Sequence, residues 1–321
     1  MKTIVLSQAI HPAGHELIKD KFNVVVPADL SQEAFQKAAS QADAIILRTN
    51  VKVTKEIIES APNLKIISRT GAGVDNIDLE AADAHNVLVC NLPGANNVSV
   101  AEHAVSMMTA LAKQLPLLDK SVRNEGQWQL RNRNYPVEMN GKTLGVVGLG
   151  AIGALVAGIC ANGYDMQVLA YDPFVDQSRF SGYAFSDTLA ELFAKSDFIT
   201  LHCPSLPQTK GMITRELLFS MKPEAFLVNC SRGDVLDTKA LFDLLNEHRI
   251  AGAALDVFEK EPPDLDDPLL SLPNVIVSPH AAALTKEAST RMSTEACRQV
   301  ISYFETGKPL HIYGKKRSAM E

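Results

Sequence analysis

The chain has 321 residues, enough for two domains of ordinary size, each able to bury its own core. Hydrophobic residues make up 46%, charged residues 21% and aromatics 6%, a balance that excludes a largely disordered polypeptide. With 31 Lys and Arg against 37 Asp and Glu, the formal charge is −6; no global cationic field exists to draw in nucleic acid or anionic lipid, and neither is expected as a partner.

In chain order, short apolar runs at Thr3 to Leu6, Phe22 to Val26, Ala44 to Leu47, Lys65 to Ile67 and Val87 to Val89 alternate with helical patterns. Such alternation predicts a parallel sheet covered by helices, because parallel strands need crossover connections. About Asn97 to Ala112 reads as a long helix, with Val98, Ala101, Val105 and Met108 at three- and four-residue spacing; His103 on it reads as structural. After Asn140 a second series of candidate strands follows: Leu144 to Val147, Gln167 to Ala170, Phe198 to Leu201, Ala225 to Val228, Gly252 to Leu255 and Val275 to Val277. A last long helix, about Thr285 to Thr306, is expected to return to the first domain, and Lys315-Lys316-Arg317 to be a solvated end. No internal repeat is visible.

The apolar stretch at the amino terminus is too short for a signal-peptide core. The five cysteines (Cys90, Cys160, Cys203, Cys230, Cys297) are scattered and never form C-x-x-C, which suits reduced thiols and a cytoplasmic location. One run tests that reading, since Leu144 to Ala161 is continuously apolar or glycine and reaches the usual length of a membrane span. Its glycines Gly145, Gly148, Gly150 and Gly153 cluster where a strand would turn into a helix, and a buried strand followed by a buried helix gives the same apolarity.

That cluster is also the first chemical signal. Gly148-Leu-Gly150-Ala-Ile-Gly153 follows a predicted strand and opens a predicted helix, and Asp172 stands at the end of the next strand. Gly148 permits a tight turn, Gly150 lets the backbone approach a pyrophosphate, Gly153 allows close helix packing, and the helix N-terminus offers N–H groups to phosphate. Asp172 would accept from ribose hydroxyls and repel a 2′-phosphate, which favours NAD over NADP. Gly141-Lys142-Thr143 invites a P-loop reading, but Pro136 stands where that motif needs its first glycine.

Three reactive side chains follow predicted strands, where an open α/β sheet puts its chemistry: Arg232, Glu261 and His280. An arginine fork matches a carboxylate bidentately and polarises a neighbouring carbonyl. A histidine is the natural proton donor to a ketone oxygen near neutral pH. Glu261 would hydrogen-bond His280 and favour its protonated form. In Arg69-Thr-Gly71-Ala72-Gly73-Val-Asp75, successive backbone N–H groups could form an anion nest, or the segment could be a simple turn. His202 and Cys203, at a strand end, read as part of a cofactor pocket wall; no feature signals a thiol nucleophile. H-E-x-x-H, G-x-S-x-G and clustered His/Cys ligands are missing, so no metal is expected.

Arg-Thr-Gly-Ala-Gly-Val-Asp-Asn-Ile-Asp (69 to 78), the glycine fingerprint with Asp172, Asn-Cys-Ser-Arg-Gly (229 to 233), Leu-Asp-Val-Phe-Glu-Lys-Glu-Pro (255 to 262) and Ser-Pro-His (278 to 280) together resemble the D-2-hydroxyacid dehydrogenase family over essentially the whole chain. The resemblance implies an α/β fold in which a Rossmann NAD-binding domain (97–286) is inserted into a flavodoxin-like substrate domain (1–96 with 287–321). It also implies a homodimer built largely on the helix near Val98, and hydride transfer at C2 of the substrate. By motif match, Arg232 anchors and polarises the 2-oxoacid, Glu261 supports His280, and His280 gives or takes the proton. Cys230, Ser231 and Asp256 would line the nicotinamide side, and the cofactor wall would further include Ala151, Ile152, Pro204, Thr209 and Ala282.

The first domain looks most like phosphoglycerate dehydrogenases, but Ala-Ala-Ala-Leu-Thr follows His280 where those enzymes carry a glycine-containing stretch, and the end at Glu321 leaves no room for an appended regulatory domain. Hydroxypyruvate, glyoxylate and 3-phosphohydroxypyruvate stay open as substrates. Arg48 could meet a distal phosphate or hydroxyl, or be an exposed arginine; Trp128, Arg131 and Arg133 are further unranked candidates. Glu261 favours the hydroxyacid branch over formate dehydrogenases, which pair the histidine with glutamine. The alternative is an NAD-sensing scaffold similar to the C-terminal-binding-protein corepressors.

Overall fold

The computed structural model describes residues 1–123, 127–133 and 135–314. Lys315, Lys316 and Arg317 therefore lie outside the described residues. The chain divides into two compact units, Met1–Asn96 with the segment from Leu284, and Asn97–Ala283.

The first unit runs β1 (Thr3–Leu6), α1 (Pro12–Ile18), β2 (Asn23–Val25), α2 (Gln32–Ala39), β3 (Ala44–Leu47), α3 (Lys55–Ser60), β4 (Ile66–Arg69), α4 (Leu79–Ala84) and β5 (Leu88–Cys90). The strands form one parallel sheet in the order β2-β1-β3-β4-β5, with Val5 opposite Ile45 and Ile45 opposite Ile67. β3 and β4 are buried at every residue, the reason their sequences lack polar alternation. β4 extends beyond the expected run and ends on Arg69, a buried side chain at a strand terminus. Ser31 and Asp78 cap α2 and α4 by accepting from the amides of Ala34 and Ala81, which fixes where those helices start.

The second unit runs α5 (Asn97–Ala112), α6 (Leu115–Arg123), β6 (Thr143–Val147), α7 (Ala151–Tyr164), β7 (Gln167–Tyr171), β8 (Ala184–Phe185), α8 (Leu189–Lys195), β9 (Phe198–Leu201), α9 (Arg215–Phe219), β10 (Phe226–Asn229), α10 (Thr238–Asn246), β11 (Gly252–Leu255) and β12 (Val275–Val277). All its strands are parallel, in the order β12-β11-β10-β9-β6-β7-β8, so the direction of winding reverses between β6 and β9. Alternate residues feed two cores. Val146, Phe198, Val228 and Ala254 face the side of α5 and α7, where the Phe198 and Phe226 rings stack at 5.0 Å; Val147, Ile199, Leu227 and Ala253 join Leu192, Phe193, Leu241 and Leu244 on the other. The apolar run from Leu144 to Ala161 resolves into β6 and the 14-residue α7, and among the described residues no helix is long and apolar enough to cross a membrane. The two-residue β8 had no counterpart among the expected strands, since so short an edge segment carries no periodic signal.

The last helix, α11 (Lys286–Thr306), belongs to the first unit. It starts where Thr285 accepts from the Ala288 amide and stops at Gly307 in the left-handed conformation. Phe304 packs on Phe22 with ring centroids 5.7 Å apart, and the fully buried Ser68 of β4 donates its hydroxyl to the Ala296 carbonyl at 3.0 Å. Ser68→Ala removes that tie without leaving Ala296 outside its helix, and is expected to cost about 1 kcal/mol in urea unfolding of the first unit; no change would show that apolar packing alone holds α11.

Candidate active site

The carboxyl edge of the second unit's sheet gathers the glycine turn after β6, Asp172 after β7, His202 and Cys203 after β9, Cys230 to Arg232 after β10, Asp256 after β11 and His280 after β12. Their convergence follows from register: Val147, Leu201, Asn229, Leu255 and Val277 lie side by side at the ends of their strands.

At the glycine turn, Gly148 has φ +89°, and a Cβ on Gly153 would stand 2.0 Å from the Gly148 carbonyl oxygen, so α7 begins hard against the turn. Open space surrounds the place where a Cβ on Gly150 would be, and no side chain caps the α7 N-terminus. Backbone N–H groups there can meet an anion directly, which fits a dinucleotide pyrophosphate. Asp172 accepts from the amides of Leu149 and Phe174, both at 2.9 Å, and thereby ties the turn to the end of β7. Each carboxylate oxygen keeps a further lone pair for a ribose hydroxyl. Ala151 and Ile152 form the first turn of α7.

On the neighbouring strand, the backbone of His202 packs against Gly148, with its carbonyl carbon 2.9 Å from where a Gly148 Cβ would be. Its Nε2 lies 2.8 Å from the Thr200 hydroxyl, Nδ1 is buried with no hydrogen-bond partner among the described residues, and burial pushes its pKa down to about 4. The ring is thus a neutral wall. Burial pushes the Cys203 thiol up to about 11 and raises Cys230 further, with Asp256 adding to it, so neither is a thiolate nucleophile at neutral pH. Thr209 donates to the Pro204 carbonyl at 2.6 Å, closing the loop that carries both.

Arg232 and His280 sit on turns braced by buried polar residues. Asn229, fully buried, accepts from the Ser231 amide and hydroxyl through Oδ1 and donates to the Arg232 carbonyl through Nδ2. Arg232 Nη1 donates back to the Ser231 carbonyl at 2.7 Å. Gly233 follows because a Cβ there would stand 2.0 Å from the Phe258 carbonyl carbon, and this close approach sets the Arg232 turn beside the loop leading to Glu261. His280 Nδ1 lies 2.7 Å from Glu261 Oε2, while the Phe258 amide donates to Oε1 at 3.1 Å. Burial opposes ionisation of Glu261, but its hydrogen bond to His280 and the charges of His280 and Arg232 outweigh it and hold the carboxyl below the usual carboxylate range.

His280 has φ +51°, a left-handed conformation that costs a non-glycine residue about 1–2 kcal/mol. Its amide donates to the Asp256 carbonyl at 2.8 Å, and the amides of Ala281 and Ala282 donate to the Asp256 carboxylate at 2.8 and 3.0 Å. Asp256, 1% exposed, therefore serves the histidine turn, and the Cys230 thiol faces Met107 at 3.9 Å. The sequence alone gives no sign of the bracing role of Asn229 beyond a polar residue that closes an apolar strand.

The remaining candidates stand on other segments of the chain. Gly71, Ala72 and Gly73 follow β4 in the first unit, where Asn91 donates to the Ala72 carbonyl and the Leu92 amide to that of Gly71. Arg48, half-buried after β3, donates from Nη1 to the Ala9 carbonyl at 3.1 Å, and the Gln8 amide oxygen accepts from its Nε at 2.9 Å. In the second unit, Arg131 stacks 5.1 Å over the exposed Trp128 ring, and Arg133 is exposed.

Residues 105–282 match the model of the D-isomer specific 2-hydroxyacid dehydrogenase NAD-binding domain. The chain belongs to that family. Among curated relatives, the D-3-phosphoglycerate dehydrogenases of Methanocaldococcus jannaschii and Synechocystis sp. are 40% and 42% identical, each over 302 residues and 94% of this chain. The chain spans 57% and 54% of their length. Among solved structures, the TT0316 protein from Thermus thermophilus superposes with a TM-score of 0.88 at 28% identity, covering 97% of this chain and 99% of that one. An NADPH-dependent glyoxylate/hydroxypyruvate reductase from Sinorhizobium meliloti, in complex with NADP and malonate, gives 0.86 at 26% identity, covering 98% and 97%.

The depressed pKa of His202 has a direct consequence. Below pH 6.5 the unfolded chain binds a proton that folded His202 refuses until about pH 4, so stability falls as pH drops through that window. Thermal unfolding of His202→Gln should depend less steeply on pH there; an unchanged slope would mean the ring takes up its proton while folded.

Proposed function

We propose that the chain is an NAD-dependent oxidoreductase that moves a hydride between nicotinamide and C2 of a small D-2-hydroxyacid or its 2-oxoacid. The observation that carries this reading is His280 Nδ1 held 2.7 Å from Glu261 Oε2 on the edge that also bears Arg232. With Nδ1 turned to a carboxylate, Nε2 is the nitrogen that gives a proton to the C2 oxygen in reduction and takes it in oxidation. Glu261 orients the ring and balances the imidazolium. Arg232 pairs with the substrate carboxylate and draws electron density from the carbonyl. The Gly148 to Gly153 turn and the α7 N-terminus receive the pyrophosphate, and Asp172 receives the ribose and repels a 2′-phosphate. His202, Cys203, Pro204 and Thr209 form one wall of the cofactor pocket, with Cys230, Ser231 and Ala282 near the reacting end. When bound, nicotinamide supplies or accepts the hydride.

The Gly71, Ala72 and Gly73 amides are the proposed second carboxylate contact. Arg48 has five N–H donors against the Ala9 and Gln8 acceptors described, so donors are left for the proposed contact to a distal substrate group. Hydroxypyruvate, glyoxylate and 3-phosphohydroxypyruvate are the proposed substrate class. NADH and NADPH oxidation should be followed against these acids, pyruvate and oxaloacetate. The expected result is NADH-linked turnover of at least one, weaker with NADPH, and a loss of roughly a hundredfold in kcat/KM in Arg232→Lys with NADH still bound, because an ammonium cannot reproduce the bidentate fork. No turnover of any acid, or an unchanged rate in that variant, would refute the assignment.

The partner proposed is a second copy of the chain. Val98 of α5, Leu115 and Val122 of α6, and Leu155 and Ile159 of α7 expose apolar side chains in the second unit. Light scattering of the purified protein is expected to give twice the chain mass, and Val122→Asp to lower it; a monomer at micromolar concentration would refute the interface. The five buried thiols suit a reducing compartment, and the cytoplasm is the proposed location.

A further inference from the structure

Ser278, two residues before His280, lies with Oγ 2.6 Å from Asp256 Oδ1 and 2.9 Å from His103 Nε2. A carboxylate can only accept, so the single hydroxyl proton of Ser278 goes to Asp256 and leaves its oxygen as an acceptor. The imidazole must then be the donor, which fixes His103 as the tautomer, or the cation, with hydrogen on Nε2. The same nitrogen stands 3.6 Å from Asp256 Oδ1. The Met107 thioether, 3.8 Å from the Ser278 hydroxyl, has no hydrogen to give.

We propose that His103 is a positioning residue for the proton-transfer histidine: from α5, through Ser278 and Asp256, it holds the turn that presents His280. The chain of contacts is continuous. His103 donates to Ser278, Ser278 donates to Asp256, and Asp256 receives the amides of Ala281 and Ala282 on its carboxylate and that of His280 on its carbonyl. The two amides that follow the left-handed His280 are thus accepted by a buried carboxylate that also receives a hydroxyl gripped from α5. A histidine serving only to fill space would keep its polar edge toward water; this one is mainly buried and directs Nε2 inward. His103 is far along the chain from the reacting residues and touches none of their reacting atoms, so it acts through the turn alone.

The inference rests on the dehydrogenase reading for its kinetic consequence, but not for its structural one. His103→Leu removes the donor at similar bulk, His103→Gln can return an N–H near the Nε2 position, and Ser278→Ala breaks the same link from the other side. With the best 2-oxoacid, His103→Leu should lower kcat about tenfold with the NADH Kd unchanged within about twofold, and His103→Gln should recover most of the loss. Hydrogen–deuterium exchange of residues 278–283 should quicken in His103→Leu and in Ser278→Ala, and the double variant should be no worse than either alone. Wild-type exchange in His103→Leu, additive losses in the double variant, or equal losses in the Leu and Gln variants would overturn the proposal. If the unaltered protein reduces no 2-oxoacid, the dehydrogenase reading fails, while the exchange of residues 278–283 still decides whether His103 holds the turn.

Discussion

Parallel strands cannot be joined by hairpins, and everything at this site depends on that constraint. Each strand of the second unit must be followed by a crossover, so every carboxyl end falls on one edge and every following turn is free to carry chemistry. The reversal of winding between β6 and β9 parts the helices there, and the glycine turn opens at that point. The glycine turn and the Glu261–His280 pair come to share an edge although 100 residues and more of chain separate Gly148 from Glu261 and His280.

Stability alone does not account for the polar groups at this edge. His280 and Glu261 are about one-third exposed, and an ion pair in such a setting contributes about 0–1 kcal/mol, so their 2.7 Å contact orients the imidazole more than it stabilises the fold. Asn229 and Asp256 are different. Both are buried at the ends of adjacent strands, where an unsatisfied amide or carboxylate is costly; Asn229 spends its hydrogen-bonding capacity on the turn after its own strand, and Asp256 on the turn after the neighbouring strand β12. The apolar sheet thus presents the two proposed reacting side chains, Arg232 and His280, each on a turn pinned by a buried polar residue.

Much of this was legible in the chain itself. The alternation of apolar runs and helical patterns is strong because strands buried on both faces are continuously apolar, and Ala44 to Leu47, Phe198 to Leu201 and Gly252 to Leu255 match β3, β9 and β11 residue for residue. The glycine spacing was legible because close packing and a left-handed turn leave no other residue type at Gly148 and Gly153. Strand ends were harder: the run at Lys65 to Ile67 continues to Arg69, because the first polar residues of a turn can still pair in the sheet. The two-residue β8 was invisible for want of length.

The sequence by itself determined the class of fold and the family, and it singled out the glycine turn with its acidic partner and the candidates Arg232, Glu261 and His280, since each depends on residue type at short spacing. Only the tertiary structure decided who supports whom. That His280 meets Glu261, that Asp256 turns its carboxylate to Ala281 and Ala282, that Asn229 grips the Arg232 turn, and that His103 reaches Ser278 from 175 residues away are all contacts between different strands and helices. No local pattern encodes such contacts, because a hydrogen bond between distant segments depends on the register of the sheet that brings them together and leaves no periodicity in either segment.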